Sequence, residues 1–152
     1  MISIQKYKTY KKGIKNVKFV GNFALANPFI LPLAKQIMRD FHPALLDFKF
    51  IFFFMKKRSK ELGSGIPVYD EDLLVVKHDA SIFISYVDWM EGNRRFRVAL
   101  LDHELSHFKV IQKTSGEYKL KAVDHEIEDF YNIIERHGNW WDPSGFTIRL
   151  DK

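Results

Sequence analysis

Ala99-Leu100-Leu101-Asp102-His103-Glu104-Leu105-Ser106-His107 is an apolar run that closes on an H-E-x-x-H pentad. Residues four apart on a helix lie one above the other, so His103 and His107 share a face and Glu104 stands beside them. Upstream, Gly92-Asn93 ends the preceding segment and Asn93 is a suitable N-cap. Phe96, Val98, Ala99, Leu100, Leu101, Leu105 and Phe108 give the helix a broad apolar surface, the signature of a buried helix rather than one lying on the outside. Two imidazoles and a carboxylate are costly in such surroundings unless something binds them.

The pentad predicts a zinc site in which both histidines ligate Zn²⁺ and a further protein ligand leaves one corner for water. Glu104 is then the catalytic base, taking a proton from the attacking water and returning it to the leaving amine. His125 is the best third ligand, placed near the start of a later helical run that can turn back to face the motif helix. Glu126 or Glu128 could replace it in a different register. Asp129, one turn after His125, could accept a hydrogen bond from a ligand imidazole. Tyr131 is the one candidate to stabilise an oxyanion. His137 is expected as a cation at a helix C-terminus, about 18 Å along the helix from His125. His42 and His78 are expected at the surface beside turns, and Asp102 is expected to be structural.

Before the motif, a helix is expected from Pro28 to just before Pro43, with Ile30, Leu31, Leu33, Ala34, Ile37, Met38 and Phe41 at helical spacing. Residues 45–55 are Phe- and Ile-rich and read as a buried strand, and residues 56–65 as a basic connector. Residues 73–77 and 81–89 read as a hairpin. After the motif, residues 109–121 read as a small hairpin around Ser115-Gly116. A last helix is expected over residues 123–137, with Gly138 ending it and Ile127, Phe130, Tyr131 and Ile134 as its apolar stripe. At the N-terminus, Val17-Lys18-Phe19-Val20 is a weak strand candidate.

A chain of 152 residues with 46% hydrophobic content is sized for one domain with a continuous core. Its fourteen Phe, six Tyr and three Trp make that core aromatic. Without cysteine there are no disulfides or thiolate ligands, so any transition metal falls to His and carboxylate. No apolar segment approaches the roughly 20 residues of a membrane span, and the N-terminus lacks an apolar secretory core, so a cytoplasmic protein without membrane contact is expected. The net charge of +5 is concentrated in a Lys-rich N-terminal arm without acidic residues. Weak DNA association through that arm is a candidate, with a solvated arm the plainer reading.

Ala99 to His107, followed by His125-Glu126-Ile127-Glu128-Asp129-Phe130 and Glu135-Arg136-His137-Gly138, resembles the putative phage metallopeptidase family. Phe41-His42-Pro43 and Asp88-Trp89 extend the resemblance, which covers roughly residues 28–140. It implies a minimal zincin, related in motif to SprT-like proteases, with His103, His107 and His125 as zinc ligands and Glu104 as base. His125-x-x-x-Asp129 is similar to the Glu-x-x-x-Asp of thermolysin-like enzymes, with His in the ligand's place. The expected fold is therefore α+β: a short mixed or antiparallel sheet packed on an N-terminal helix, the motif helix and a C-terminal ligand-bearing helix. Residues 1–27 are expected as a basic arm, part of or appended to a single domain over residues 28–152. The expected function is hydrolysis of a protein or peptide substrate by a zinc peptidase of phage or prophage origin in the host cytoplasm. The alternative is a weakly active or inactive metal-stabilised module that binds a host protein or a DNA-bound protein.

Overall fold

The computed structural model describes residues 2–7, 17–56, 63–67, 78–123, 130–138 and 140, with residues 63–67 described by backbone and Tyr131 without its side chain. The first regular elements are strand β1 (Phe23–Leu25) and helix α1 (Asn27–Phe41). Pro28 pre-sets the backbone of the first turn, where no amide partner is needed. The Asn27 side-chain oxygen accepts from the Phe52 amide at 2.6 Å, which pins the helix start to the sheet. Ile30, Leu33, Ala34, Ile37 and Met38 are buried at the expected helical spacing. His42 closes the helix, and Pro43 starts a short 3₁₀ turn (Pro43–Asp47).

That turn shortens the strand expected over residues 45–55: β2 is Phe50–Met55. A second correction concerns the connector over residues 56–65, because Gly63–Pro67 forms strand β3. Strand β4 (Ala80–Ser85) pairs in parallel with β2 and antiparallel with β3, so the described sheet runs β1-β2-β4-β3 and is mixed. The 73–77 arm of the expected hairpin lies outside the described residues. The 81–89 arm does not continue as a strand: it ends at Ser85, whose hydroxyl accepts from the Asp88 amide at 3.3 Å and opens helix α2 (Tyr86–Glu91). A serine cap with an acidic residue in the first turn suits a helix start, and it outweighs the β-prone look of Tyr86-Val87. Val17 to Val20 form no strand; Val20 makes an isolated bridge to Phe23.

Helix α3 (Arg94–Ser106) carries the motif and starts as expected, the Asn93 side chain accepting from the Phe96 amide at 2.8 Å. Strands β5 (Phe108–Gln112) and β6 (Tyr118–Ala122) form the expected hairpin. Helix α4 (Tyr131–His137) ends at Gly138, whose φ of +64° favours glycine. The uninterrupted helix expected over residues 123–137 is not formed. Val123 is non-helical, and Phe130 is extended at φ −84°, ψ 142° as the N-cap of α4. The buried positions of α4 include Ile133, which the expected stripe omitted; Ile127 lies outside the described residues.

Ala24, Phe52, Phe54, Ile82 and Ile84 on the inner face of the sheet join the apolar faces of α1 and α3 in one core. The protein is thus α+β, compatible with a small zincin-like domain. At the N-terminus, Tyr7 is buried and its hydroxyl bonds Asp40 of α1, while the Ile2 amide donates to the Arg136 carbonyl. Among the described residues no helix is long and apolar enough to cross a membrane.

Candidate metal centre

His103 and Glu104 project from the last turn of α3, and His107 is its C-cap. The two Nε2 atoms stand 3.3 Å apart, with ring centroids 5.0 Å apart and planes at 76°. One carboxylate oxygen of Glu104 completes a group whose donor atoms all lie within 4.8 Å of one another, and among the described residues this is the cluster able to hold a metal ion. The Glu104 carboxylate is 2% exposed and the His103 ring 12% exposed, so the acid sits deeper than the imidazole beside it.

The hairpin orients His107. The Val123 amide donates to the His107 carbonyl at 2.6 Å, continuing the β5–β6 pairing by one step. In return, His107 Nδ1 lies 2.7 Å from the Val123 carbonyl oxygen. A carbonyl only accepts, so Nδ1 carries a proton, and in the neutral ring Nε2 then keeps its lone pair on the His103 side. A ligand imidazole is commonly fixed in this way by a bond from its other nitrogen.

Aromatic rings close the group from the α4 side. The Phe130 ring meets His107 at 5.0 Å and His103 at 5.6 Å, both nearly edge-on. Trp140 lies 5.9 Å from His103 and 5.6 Å from Phe96. These apolar neighbours limit ring rotation and lower the local dielectric.

Behind the motif, Asp102 occupies a site that the sequence marked as structural without showing its partners. Its side chain is wholly buried. Oδ1 accepts from His42 Nε2 at 2.6 Å and from the terminal Nη2 of Arg136 at 2.9 Å. Oδ2 accepts from Arg136 Nε at 2.8 Å and from His137 Nε2 at 2.7 Å. Burial alone would raise the carboxyl pKa, but hydrogen bonds from His137, His42 and Arg136 outweigh it and hold the group well below the usual carboxylate range.

One expectation is therefore corrected. His42 is not a surface residue, because the C-cap of α1 directs it onto Asp102. His137 does end a helix, as expected, and is buried there with Nε2 on the same carboxylate. His78 is partly buried, with Nε2 2.9 Å from the Ser81 hydroxyl. His125, Glu126, Glu128 and Asp129 lie outside the described residues, and the same holds for the Tyr131 side chain. Phe130, Trp140 and the Val123 carbonyl were missed by reading for polar chemistry alone. The run of aromatic residues beyond the motif was the available signal for the rings.

The donor set fits zinc. Two nitrogens each about 2.0 to 2.1 Å from a tetrahedral ion stand about 3.3 Å apart, which is the separation found here and is long for a direct N–H hydrogen bond. A family model described as Putative phage metallopeptidase matches residues 23–147, well over half of the chain. No curated protein and no solved structure gives a significant match.

Proposed function

The chain belongs to the phage metallopeptidase family, and from that premise we propose that it is a zinc-dependent peptidase in which His103 and His107 hold the ion and Glu104 is the general base. The family implies a metal ion and a peptidase function; the choice of zinc and the residue roles are our reading. The observation that carries it is the pair of Nε2 atoms at 3.3 Å with the Glu104 carboxylate in the same group. His125 is kept as the proposed third ligand. In its support, both described residues that flank 124–129 touch His107, Val123 through its carbonyl at 2.7 Å and Phe130 through its ring at 5.0 Å.

Zinc bound by these residues supplies Lewis-acid chemistry, polarising a scissile carbonyl and making a water acidic enough to attack at neutral pH. The chain's own groups do the rest. The Val123 carbonyl holds His107 in the ligating tautomer. Glu104 stands one residue from His103 on the same turn, buried enough to exclude competing water, and accepts the proton of the attacking water before passing it to the amine that leaves. The substrate is a protein or peptide. Action in the cytoplasm of a host cell agrees with the absence of cysteine.

Glu104→Gln tests the proposal on purified, zinc-reconstituted protein with a quenched peptide library as substrate. The variant should keep its zinc stoichiometry and lose turnover by about 10²- to 10⁴-fold, the range for removing a general base. Undiminished turnover would overturn the assignment of Glu104, and no zinc on the wild-type protein would overturn the metal centre.

A further inference from the structure

We infer that Asp102 is the positioning residue of the metal centre: with Arg136, His137 and His42 it clamps α4 to the back of the motif helix and so holds Phe130 against His103 and His107. The inference rests on the metal-centre reading above and goes beyond it by naming what sets the imidazole geometry.

Consecutive residues on a helix diverge by about 100°, so Asp102 and His103 leave α3 on different sides. Asp102 reaches the end of α4, and His103 reaches its beginning. Between those ends α4 is one short rod of about 10 Å, at 1.5 Å per residue. Its last turn supplies Arg136 and His137 to the Asp102 carboxylate, and its N-cap is Phe130. A displacement at one end therefore moves the ring at the other.

The clamp leaves little freedom. An ionised carboxylate has about four acceptor sites, and four N–H groups fill them here. Arg136 approaches as a planar fork through Nε and Nη2, which fixes rotation as well as distance. Its guanidinium also lies 4.3 Å from the Phe41 ring centre, at the end of α1 that supplies His42. Farther along, the Arg95 side chain at the start of α3 donates to the His137 carbonyl at 2.7 Å. Apolar packing at Ile133 favours burial of α4 but permits sliding; the fork and the two imidazoles allow one register.

Stability alone is a poor account of such a cluster. Taking a carboxylate and a guanidinium out of water costs much of what their attraction returns, and apolar substitutes of the same volume often do as well. Fixing a unique register is the better-attested use of a buried charge network. Nor is the cluster a second metal site despite its His-Asp-His composition, because Arg136 already occupies both oxygens.

The test uses Asp102→Asn, and Arg136→Lys as a milder variant that keeps the charge and loses the fork. Zinc affinity is measured by competition with a chromogenic chelator, and the ring signals of His103 and His107 are followed by NMR on metal-free protein. Both variants should bind zinc about 10- to 100-fold more weakly, the usual effect of disturbing groups behind a metal ligand. Both should also shift the two imidazole signals as the Phe130 ring moves. Phe52→Val, in the sheet core, serves as a variant whose destabilisation leaves affinity and ring signals unchanged. If Asp102→Asn does not fold, Arg136→Lys decides. Unchanged affinity and unchanged ring signals in a folded clamp variant would overturn the inference, as would an equal loss in Phe52→Val. Absence of zinc binding by the wild type would strike the metal reading alone, since the imidazole shifts on metal-free protein still test the clamp.

Discussion

His107 and Val123 exchange two hydrogen bonds, Val123 amide to His107 carbonyl at 2.6 Å and His107 Nδ1 to Val123 carbonyl at 2.7 Å. The first continues a β ladder; the second fixes a tautomer. In metal-free protein at a pH where the ring is neutral, His107 should therefore be found with its proton on Nδ1, and long-range ¹H–¹⁵N spectra should show a pyrrole-type Nδ1 and a pyridine-type Nε2. The opposite tautomer would mean that the carbonyl does not orient the ring.

Metal should stabilise the folded chain, because its proposed ligands His103 and His107 are brought together by the end of α3, which exists only in the native state. A ligand at a hundred times its dissociation constant adds about 2.7 kcal/mol, which raises the melting temperature of a domain this size by about 5 to 11 °C. Zinc should produce that rise in calorimetry or thermal-shift measurements, chelator should reverse it, and His107→Ala should abolish it. An equal rise in His107→Ala would show that the ion binds elsewhere.

The parts of this architecture that were legible are those encoded by neighbours in sequence. The motif helix declared itself by its apolar run and its Asn93 cap, α1 by Pro28 and Pro43, and the β5–β6 hairpin by Ser115-Gly116. Strand β3 did not, because Gly63-Ser64-Gly65-Ile66-Pro67 has little intrinsic strand preference and is paired by β4. Helix α2 was hidden because Tyr86-Val87 looks extended until the Ser85 hydroxyl is seen capping Asp88. The pentad could be read from spacing alone. The Asp102 clamp could not: His42 is 60 positions away and Arg136 is 34, so nothing local joins them.

Gly92 separates α2 from α3, and its φ of −70° is open to any residue. Space is what it lacks: a Cβ there would come within 2.3 Å of Phe96 Cδ1 and 3.0 Å of the Asp88 carbonyl oxygen. The Phe96 ring would have to shift, and it packs 5.6 Å from Trp140, which itself lies beside His103. Gly92→Ala should therefore destabilise by about 1 to 3 kcal/mol, as overpacking does. Urea unfolding measures the loss, and Trp fluorescence should change with it. An unchanged midpoint would show that Phe96 has another way to move.

Tyr7 and Asp40 meet at 2.5 Å, hydroxyl to Oδ2, and their pH dependences run in opposite directions. Burial, then the hydrogen bond and charge of Asp40, push the Tyr7 hydroxyl above its ordinary range. The Tyr7 bond, then Lys6, lowers the Asp40 carboxyl. Because the folded Tyr7 holds its proton more tightly than the unfolded chain does, its contribution is complete below about pH 10 and is lost as the pH rises further. Because the folded Asp40 holds its proton less tightly, its contribution is complete above about pH 4 and is lost as the pH falls. Tyr7→Phe removes the bond while keeping the ring, and should cost about 1.5 to 3 kcal/mol near neutrality, the range for a hydrogen bond to a charged acceptor. Unfolding free energies of wild type and variant, measured from acid to alkaline pH, should differ by a constant amount across the middle of the range and converge at both ends. A difference that stays constant to alkaline pH would show that Tyr7 ionises as readily in the folded chain as in the unfolded one, and that the bond to Asp40 does not hold residues 2–7 on α1.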